Sequence, residues 1–210
     1  MIQPVPAFFL ADAIGLDFLN SVATPVDTPV DWLEDGEGLL AWLQQARLVP
    51  AEVLRSARER AIPGEMDRLA GQARALREWF RGFVREHKGH PLRAADLIAL
   101  DPLNELLKRD QRYAEVVAEA AGESSVFALA QQRRWHSSDA LLLPIAEAMA
   151  RLVCEEDFSF VKACEGPACT MLFADHTRGH ARRWCSMALC GNRAKQAAHR
   201  LRQKASSEQP

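Results

Sequence analysis

CEGPAC at residues 164–169 and CSMALC at residues 185–190 carry four of the five cysteines, joined by the short connector TMLFADHTRGHARRW, residues 170–184. The pattern is C-x4-C-x15-C-x4-C. A tetrahedral structural metal needs two such pairs, because each pair closes a tight chelate loop. Cys164, Cys169, Cys185 and Cys190 are therefore read as the ligands of one structural Zn(2+) ion per chain. Four buried free thiols form the competing reading, and the spacing argues against it. A disulfide framework would need an oxidising compartment and usually a short secreted chain, and this sequence suggests neither. Gly166 and Pro167 let the first loop turn sharply.

Cys185 directly precedes Ser186, a helix N-cap candidate, so the second pair straddles a helix start, where the dipole and backbone N–H groups favour thiolate. In the connector, Met171, Leu172 and Phe173 alternate, Asp175 to Gly179 turn, and Arg182, Arg183 and Trp184 follow, which predicts a hairpin. Knuckle, hairpin and ligand-bearing helix in that order make a treble-clef-like module. Projected at about 100° per residue, Met187, Cys190, Ala194, Ala198, Leu201 and Ala205 share one inward arc. Arg193, Arg200 and Lys204 line one edge of that stripe, and Lys195, His199 and Arg202 the other.

Such a helix could track a phosphate backbone or enter a groove. A second role is open to the cations nearest the metal: a tetrathiolate zinc carries a formal charge of about −2, and Arg178, Arg182, Arg183 and Arg193 could neutralise it instead of touching nucleic acid.

Working outward, the composition changes at the finger. Residues 1–159 hold 17 Lys and Arg against 25 Asp and Glu, a formal −8, whereas residues 160–210 hold 9 against 3, a formal +6. No cysteine precedes Cys154. The expected fold is mainly α: a helical domain with a small β element over 1–157, a zinc module over 158–205 and a flexible tail over 206–210. The front domain is expected to fold without the finger, because its helices carry their own apolar faces. With 48% hydrophobic and 26% charged residues the chain can bury a core, and disordered, collagen-like and coiled-coil classes are excluded. No stretch approaches the roughly 18–20 apolar residues of a membrane span, and the opening MIQPVPAFFLADAIG has no positive n-region. The chain reads as soluble and cytoplasmic, with no membrane partner; its oligomeric state is not legible.

Within the front domain, a short helix or extended entry is expected over Phe8–Val22 and a loop over residues 24–31. Helices are predicted over Asp31–Arg47, Ala51–Arg60, a long segment after Pro63–Gly64, Ala94–Arg109 and Ser138–Glu155. In the long helix Met66, Leu69, Ala73, Leu76, Phe80 and Phe83 or Val84 form the buried face, with Arg68, Arg74, Arg77, Arg81 and Arg85 opposite or flanking. Leu97, Leu100, Leu103, Leu106 and Leu107 are expected to be buried, with Pro102 bending or dividing their helix. Alternation around Val126–Ala130 predicts a short strand or hairpin, and Phe158–Ala163 a strand into the first cysteine pair.

Asp17, Asn20 and Ser21 interrupt an apolar surface, so they either line a ligand pocket or bond neighbouring backbone. Cys154 is read as a buried small hydrophobe. His176 and His180 are rival ligands, but four cysteines leave them no vacancy. Phosphate-loop, dinucleotide, nucleophile-elbow and H-E-x-x-H motifs are absent, and four thiolates close the position a catalytic zinc keeps open, which argues against an enzyme. A zinc-stabilised protein-interaction adaptor is the alternative function, since basic edges would also suit an acidic partner.

CEGPACTMLFADHTRGHARRWCSMALCGNRAKQAAHRLRQ resembles the CGNR-type zinc finger, spelled by Cys190-Gly191-Asn192-Arg193 with RRWCSM and AKxAAHR elements flanking it. Upstream, LDFLNSV at residues 16–22, Trp42-Leu43 and the LA…LR register of the long helix look like the ABATE domain that precedes this finger. The pairing is associated with stress-induced bacterial transcription regulators. The resemblance thus implies DNA binding by the finger and sensing of a small-molecule effector by the front domain. Where relatives tend to show an Asp-Thr-Ser-Arg-like run, this chain has Asp175-His176-Thr177-Arg178.

Overall fold

The computed structural model describes residues 6–24, 28–121 and 124–207. Part of the loop expected over 24–31 and the last three residues of the expected tail lie outside the described residues. α1 (Ile14–Leu19) is followed by the two-residue strands β1 (Val22–Ala23) and β2 (Val30–Asp31), which pair antiparallel. α2 (Gly36–Gln45) starts where the Asp35 carboxylate accepts from the Gly38 N–H at 2.8 Å, later than the predicted start at Asp31, which is spent on β2. α3 (Ala51–Arg60) follows Pro50, and α4 (Glu65–His87) leaves a left-handed Gly64, φ 80°.

α4 carries Glu65 and Asp67 in its first turn and Arg85 and His87 in its last, matching the helix dipole. Its apolar face is buried as predicted, but two of the flanking arginines go with it. Arg77 and Arg81 are 3% and 5% exposed. Arg77 forks onto the Asp31 carboxylate at 2.8 and 2.7 Å and donates to the Ser21 hydroxyl, while Arg81 donates to the Leu19 carbonyl and to Glu78. These guanidiniums tie α1 and the β1–β2 ribbon to α4.

The helix predicted over Ala94–Arg109 is divided. A 3-10 turn runs over Ala94–Leu100, and α5 (Asp101–Leu107) begins with Pro102 in its first turn, where a missing N–H is tolerated. The tighter turn rotates Leu97 and Ile98 outward, to 61% and 76% exposure, so Leu97 is not core. β3 (Arg112–Ala121) and β4 (Ser124–Arg133) form a hairpin of ten consecutive pairs, longer than predicted. A 3-10 turn, Ser138–Leu142, then leads into α6 (Leu143–Glu155). Ser138 gives its hydroxyl to Glu65 rather than capping the helix, and Cys154 is exposed, not buried.

β5 (Val161–Ala163) pairs antiparallel with β6 (Leu172–Ala174), and α7 (Asn192–Ser207) ends the described chain, so Ser206 and Ser207 are helical. One hydrophobic core runs through both halves: Leu16, Phe18, Ile145 and Met149 from the front, with Phe158, Met171, Leu172 and Phe173 from the finger. α1 lies between α6 and β6, and a Cβ on Gly15 would stand 2.7 Å from the Ala148 carbonyl oxygen, so only glycine lets α1 meet α6 this closely. The front domain and the finger thus share one core, although the sequence predicts a front domain that folds by itself.

Candidate metal centre and its surroundings

The first cysteine pair sits in the turn between β5 and β6. The hairpin predicted inside the connector is thus displaced: its first strand is present as β6, but its partner is β5, across the knuckle. Because the strands close below, the knuckle is held at the ribbon's end, where a Cβ on Gly166 would lie 3.0 Å from the Cys190 sulfur and 3.1 Å from the Cys169 Cβ. Glycine permits that close approach. The second pair sits at a helix start, as read from sequence. The Ser186 hydroxyl accepts from the N–H groups of Ala188 and Leu189, a π-helical turn carries Met187 to Gly191, and α7 continues from it.

The sulfurs of Cys164, Cys169, Cys185 and Cys190 all lie within 4.8 Å of one another. Cys169 and Cys185 are 3.8 Å apart and Cys185 and Cys190 3.7 Å. Thiolates about 2.3 Å from a tetrahedral zinc would stand about 3.8 Å apart, so the set fits that ion. The thiols are not independent. Its hydrogen bond with Cys185 draws Cys169 down to about 5, the same contact and then burial push Cys185 up, and burial followed by the charge on Cys169 pushes Cys190 up to about 11. Four negative sulfurs this close need a cation. N–H groups already point at them, from Gly166 and Cys185 to the Cys164 sulfur at 3.4 and 3.3 Å.

Among the described residues the cluster contains only cysteines. His176 bonds Glu156 at 2.7 Å, which raises its pKa, and His180 stacks on Phe160 while contacting the Asp175 carbonyl at 2.8 Å. Both rival ligands are committed elsewhere.

Asp175, read from sequence only as the start of a turn, organises the connector. Only 1% exposed, it accepts from the Lys162 ammonium at 2.7 Å, the Thr177 hydroxyl and N–H at 2.6 and 3.0 Å, and the Arg182 N–H at 2.9 Å. Burial would raise this carboxyl, but these donors outweigh it and hold it below the usual carboxylate range. Its signal was legible in Asp-x-Thr, the spacing of a side-chain-closed turn.

The expected basic contacts separate. Arg182 donates to Asp12, to the carbonyls of Leu10, Ala174, Trp184 and Cys185, and lies 4.3 Å over the Phe173 ring. It clamps the finger to the front domain and is not available to nucleic acid. Arg193 reaches the Leu189 carbonyl at 2.6 Å and the Cys190 sulfur at 3.5 Å, so of its two roles the geometry gives the thiolate-facing one. Arg183 pairs with Glu165 and lies over Trp184, remaining 60% exposed, and Arg178 is exposed.

Lys195, Arg200 and Arg202 are exposed along α7; Lys204 belongs to the same helix, and its side chain lies outside the described residues. The inward stripe is shorter than projected: Met187 is 46% exposed and Ala198 is exposed, while the side chains of Leu201 and Ala205 lie outside the described residues.

The pocket expected at Asp17, Asn20 and Ser21 is corrected to buried bonding. Asp17 accepts from the N–H groups of Leu10 and Ala11 at 2.9 and 3.0 Å, Asn20 bonds both backbone groups of Leu172, and Ser21 receives Arg77. All three are no more than 3% exposed.

Residues 12–156 match the ABATE family, described as "Putative stress-induced transcription regulator", and residues 161–203 match the CGNR zinc finger. No curated protein matches the chain. No helix among the described residues is long and apolar enough to cross a membrane.

Proposed function

The chain belongs to the ABATE family and carries a CGNR zinc finger behind that domain, and from this premise we propose that it regulates transcription by binding duplex DNA through α7. One structural zinc on Cys164, Cys169, Cys185 and Cys190 sets the angle of that helix. The observation that carries the reading is α7 itself. Sixteen residues long, among the described residues it packs substantially only on the turn bearing Cys190, and it presents Lys195, Arg200 and Arg202 to water. A helix so little packed gains stability from a further surface, and these cations suit phosphate oxygens. The −8 of residues 1–159 keeps the rest of the chain off the duplex.

The effector site belongs elsewhere than at Asp17. A groove of about 420 Å³ between α3 and the segment before α6, with Val53, Ala57, Trp135 and Leu141 as apolar wall and Arg60, His136, Glu52 and Glu65 as polar lining, is of the size small molecules occupy. Four thiolates fill the metal's tetrahedron, so the proposal contains no catalytic step. A tetrathiolate site also suits a reducing compartment, which supports a cytoplasmic reading.

The zinc-loaded chain should bind a random duplex pool with log K falling against log salt at about −0.9 per phosphate contact, a slope near −3 for three contacts. Absence of binding at low salt, with zinc retained, would move the reading to the protein-interaction adaptor.

A further inference from the structure

We propose that the β3–β4 arm is a self-association element whose apolar face docks against a second copy of the chain. Ten paired residues per strand make an arm about 33 Å long. Neither strand packs substantially on any other element among the described residues. At its base Arg112 and Arg133 pair with Asp110 and Glu147, which anchors the arm to α6.

Cross-strand partners share a face. Ala114, Val116 and Ala118 of β3 therefore lie with Gln131, Leu129 and Phe127 of β4, all six exposed. Val116, Leu129 and Phe127 are 68%, 70% and 77% exposed, whereas on the opposite face, beside Glu115, Val117, Ala128 and Ala130 are half-buried and Val126 is 54% exposed. A two-stranded ribbon is marginal in water on its own, and a contiguous apolar patch of this kind marks a contact surface.

Charge and area select the occupant. Arg112 and Arg133 share this face at its base, where Asp110 and Glu147 hold them, and beyond them the patch has no cation for a phosphate or an acidic partner and no carboxylate for a basic one. The acidic front domains, at −8 each, present like charge to one another, and this face lets two copies meet away from them. Its β3 side is small, with two alanines and a valine, and its β4 side is large, with leucine and phenylalanine; one surface thus offers both knobs and hollows, as a twofold contact requires. Two such faces bury on the order of 1,000 Å², the lower bound for a specific interface. The inference is independent of DNA binding.

Sedimentation of the zinc-loaded full chain over a concentration series tests it. A monomer–dimer equilibrium is expected, weakened roughly tenfold or more by Phe127→Glu and by Leu129→Lys, and unchanged by Ile98→Glu outside the arm. The arm variants should keep the wild-type melting temperature and zinc content, since both positions are exposed. Hydrogen exchange supplies the second readout: amides of residues 112–118 and 127–133 in the wild type should slow as concentration rises. A wild type that stays monomeric, a dimer insensitive to both arm variants, or concentration-independent exchange in the arm would each overturn the proposal.

Discussion

Asn20 closes two hydrogen bonds on the backbone of Leu172, 152 residues away: its Nδ2 donates to the Leu172 carbonyl at 2.8 Å and its Oδ1 accepts from the Leu172 N–H at 2.9 Å. One carboxamide thus fastens the end of α1 to the strand that follows the metal knuckle. Asn20→Ala leaves both buried groups of Leu172 unpaired, and the expected loss is about 2–4 kcal/mol, or roughly 5–10 °C in melting temperature. An unchanged melting curve would remove Asn20 from this role.

Asp17 ties the entry segment to α1 in the same region. Burial lifts its carboxyl to about 6, against the lowering influence of the Ala11 and Leu10 N–H groups. Since the folded value lies above the unfolded one, its stabilising contribution is full below about pH 4 and is lost as pH rises through about 6. Asp17→Asn removes this dependence. Relative to wild type the variant should gain on the order of 2–3 kcal/mol between about pH 4 and pH 7. Urea unfolding at both ends of that window checks it, and parallel profiles would contradict the raised value.

Zinc removal should reach beyond the finger. Phe158, Met171, Leu172 and Phe173 are at most 3% exposed and share the core with α1 and α6. Chelation, or Cys185→Ser, is expected to lower the midpoint of the whole helical signal in one transition. Two transitions, with the helical one unmoved, would restore the autonomous front domain. Binding also displaces thiol protons, so zinc affinity should fall as the solution is acidified.

The basic side chains should divide by what they hold. Arg182→Ala opens a half-buried hub and is expected to destabilise by about 3–5 kcal/mol. Lys195→Ala and Arg200→Ala, on the exposed helix, should stay within about 0.5 kcal/mol of wild type. Each should instead shrink the salt slope of DNA binding by about 0.9. Equal effects of all three on stability would erase the distinction between clamp and contact.

The metal centre was the most legible part of the sequence. Chelate loops are local, so C-x4-C twice, Gly166 in the knuckle and Ser186 at the helix start fix the ligand set and its caps within a few bonds of chain. Helix periodicity likewise placed α4, because the apolar repeat is a property of the segment itself. Destination of the polar groups was decided only by tertiary structure. Arg77 and Arg81 read as a solvated flank until the β1–β2 ribbon and α1 bring Asp31, Ser21 and the Leu19 carbonyl to them. Asp17, Asn20 and Ser21 read as a pocket or as backbone-bonding groups until Leu172 and the entry backbone arrive. Arg182 read as a DNA contact or a thiolate neighbour until Asp12 and the Leu10 carbonyl close over it. Apart from the Leu10 and Ala11 N–H groups, seven and six residues from Asp17, these partners lie tens to more than a hundred residues away, and a buried polar group takes whatever donor or acceptor the fold delivers, since leaving it unpaired costs more than any local preference provides.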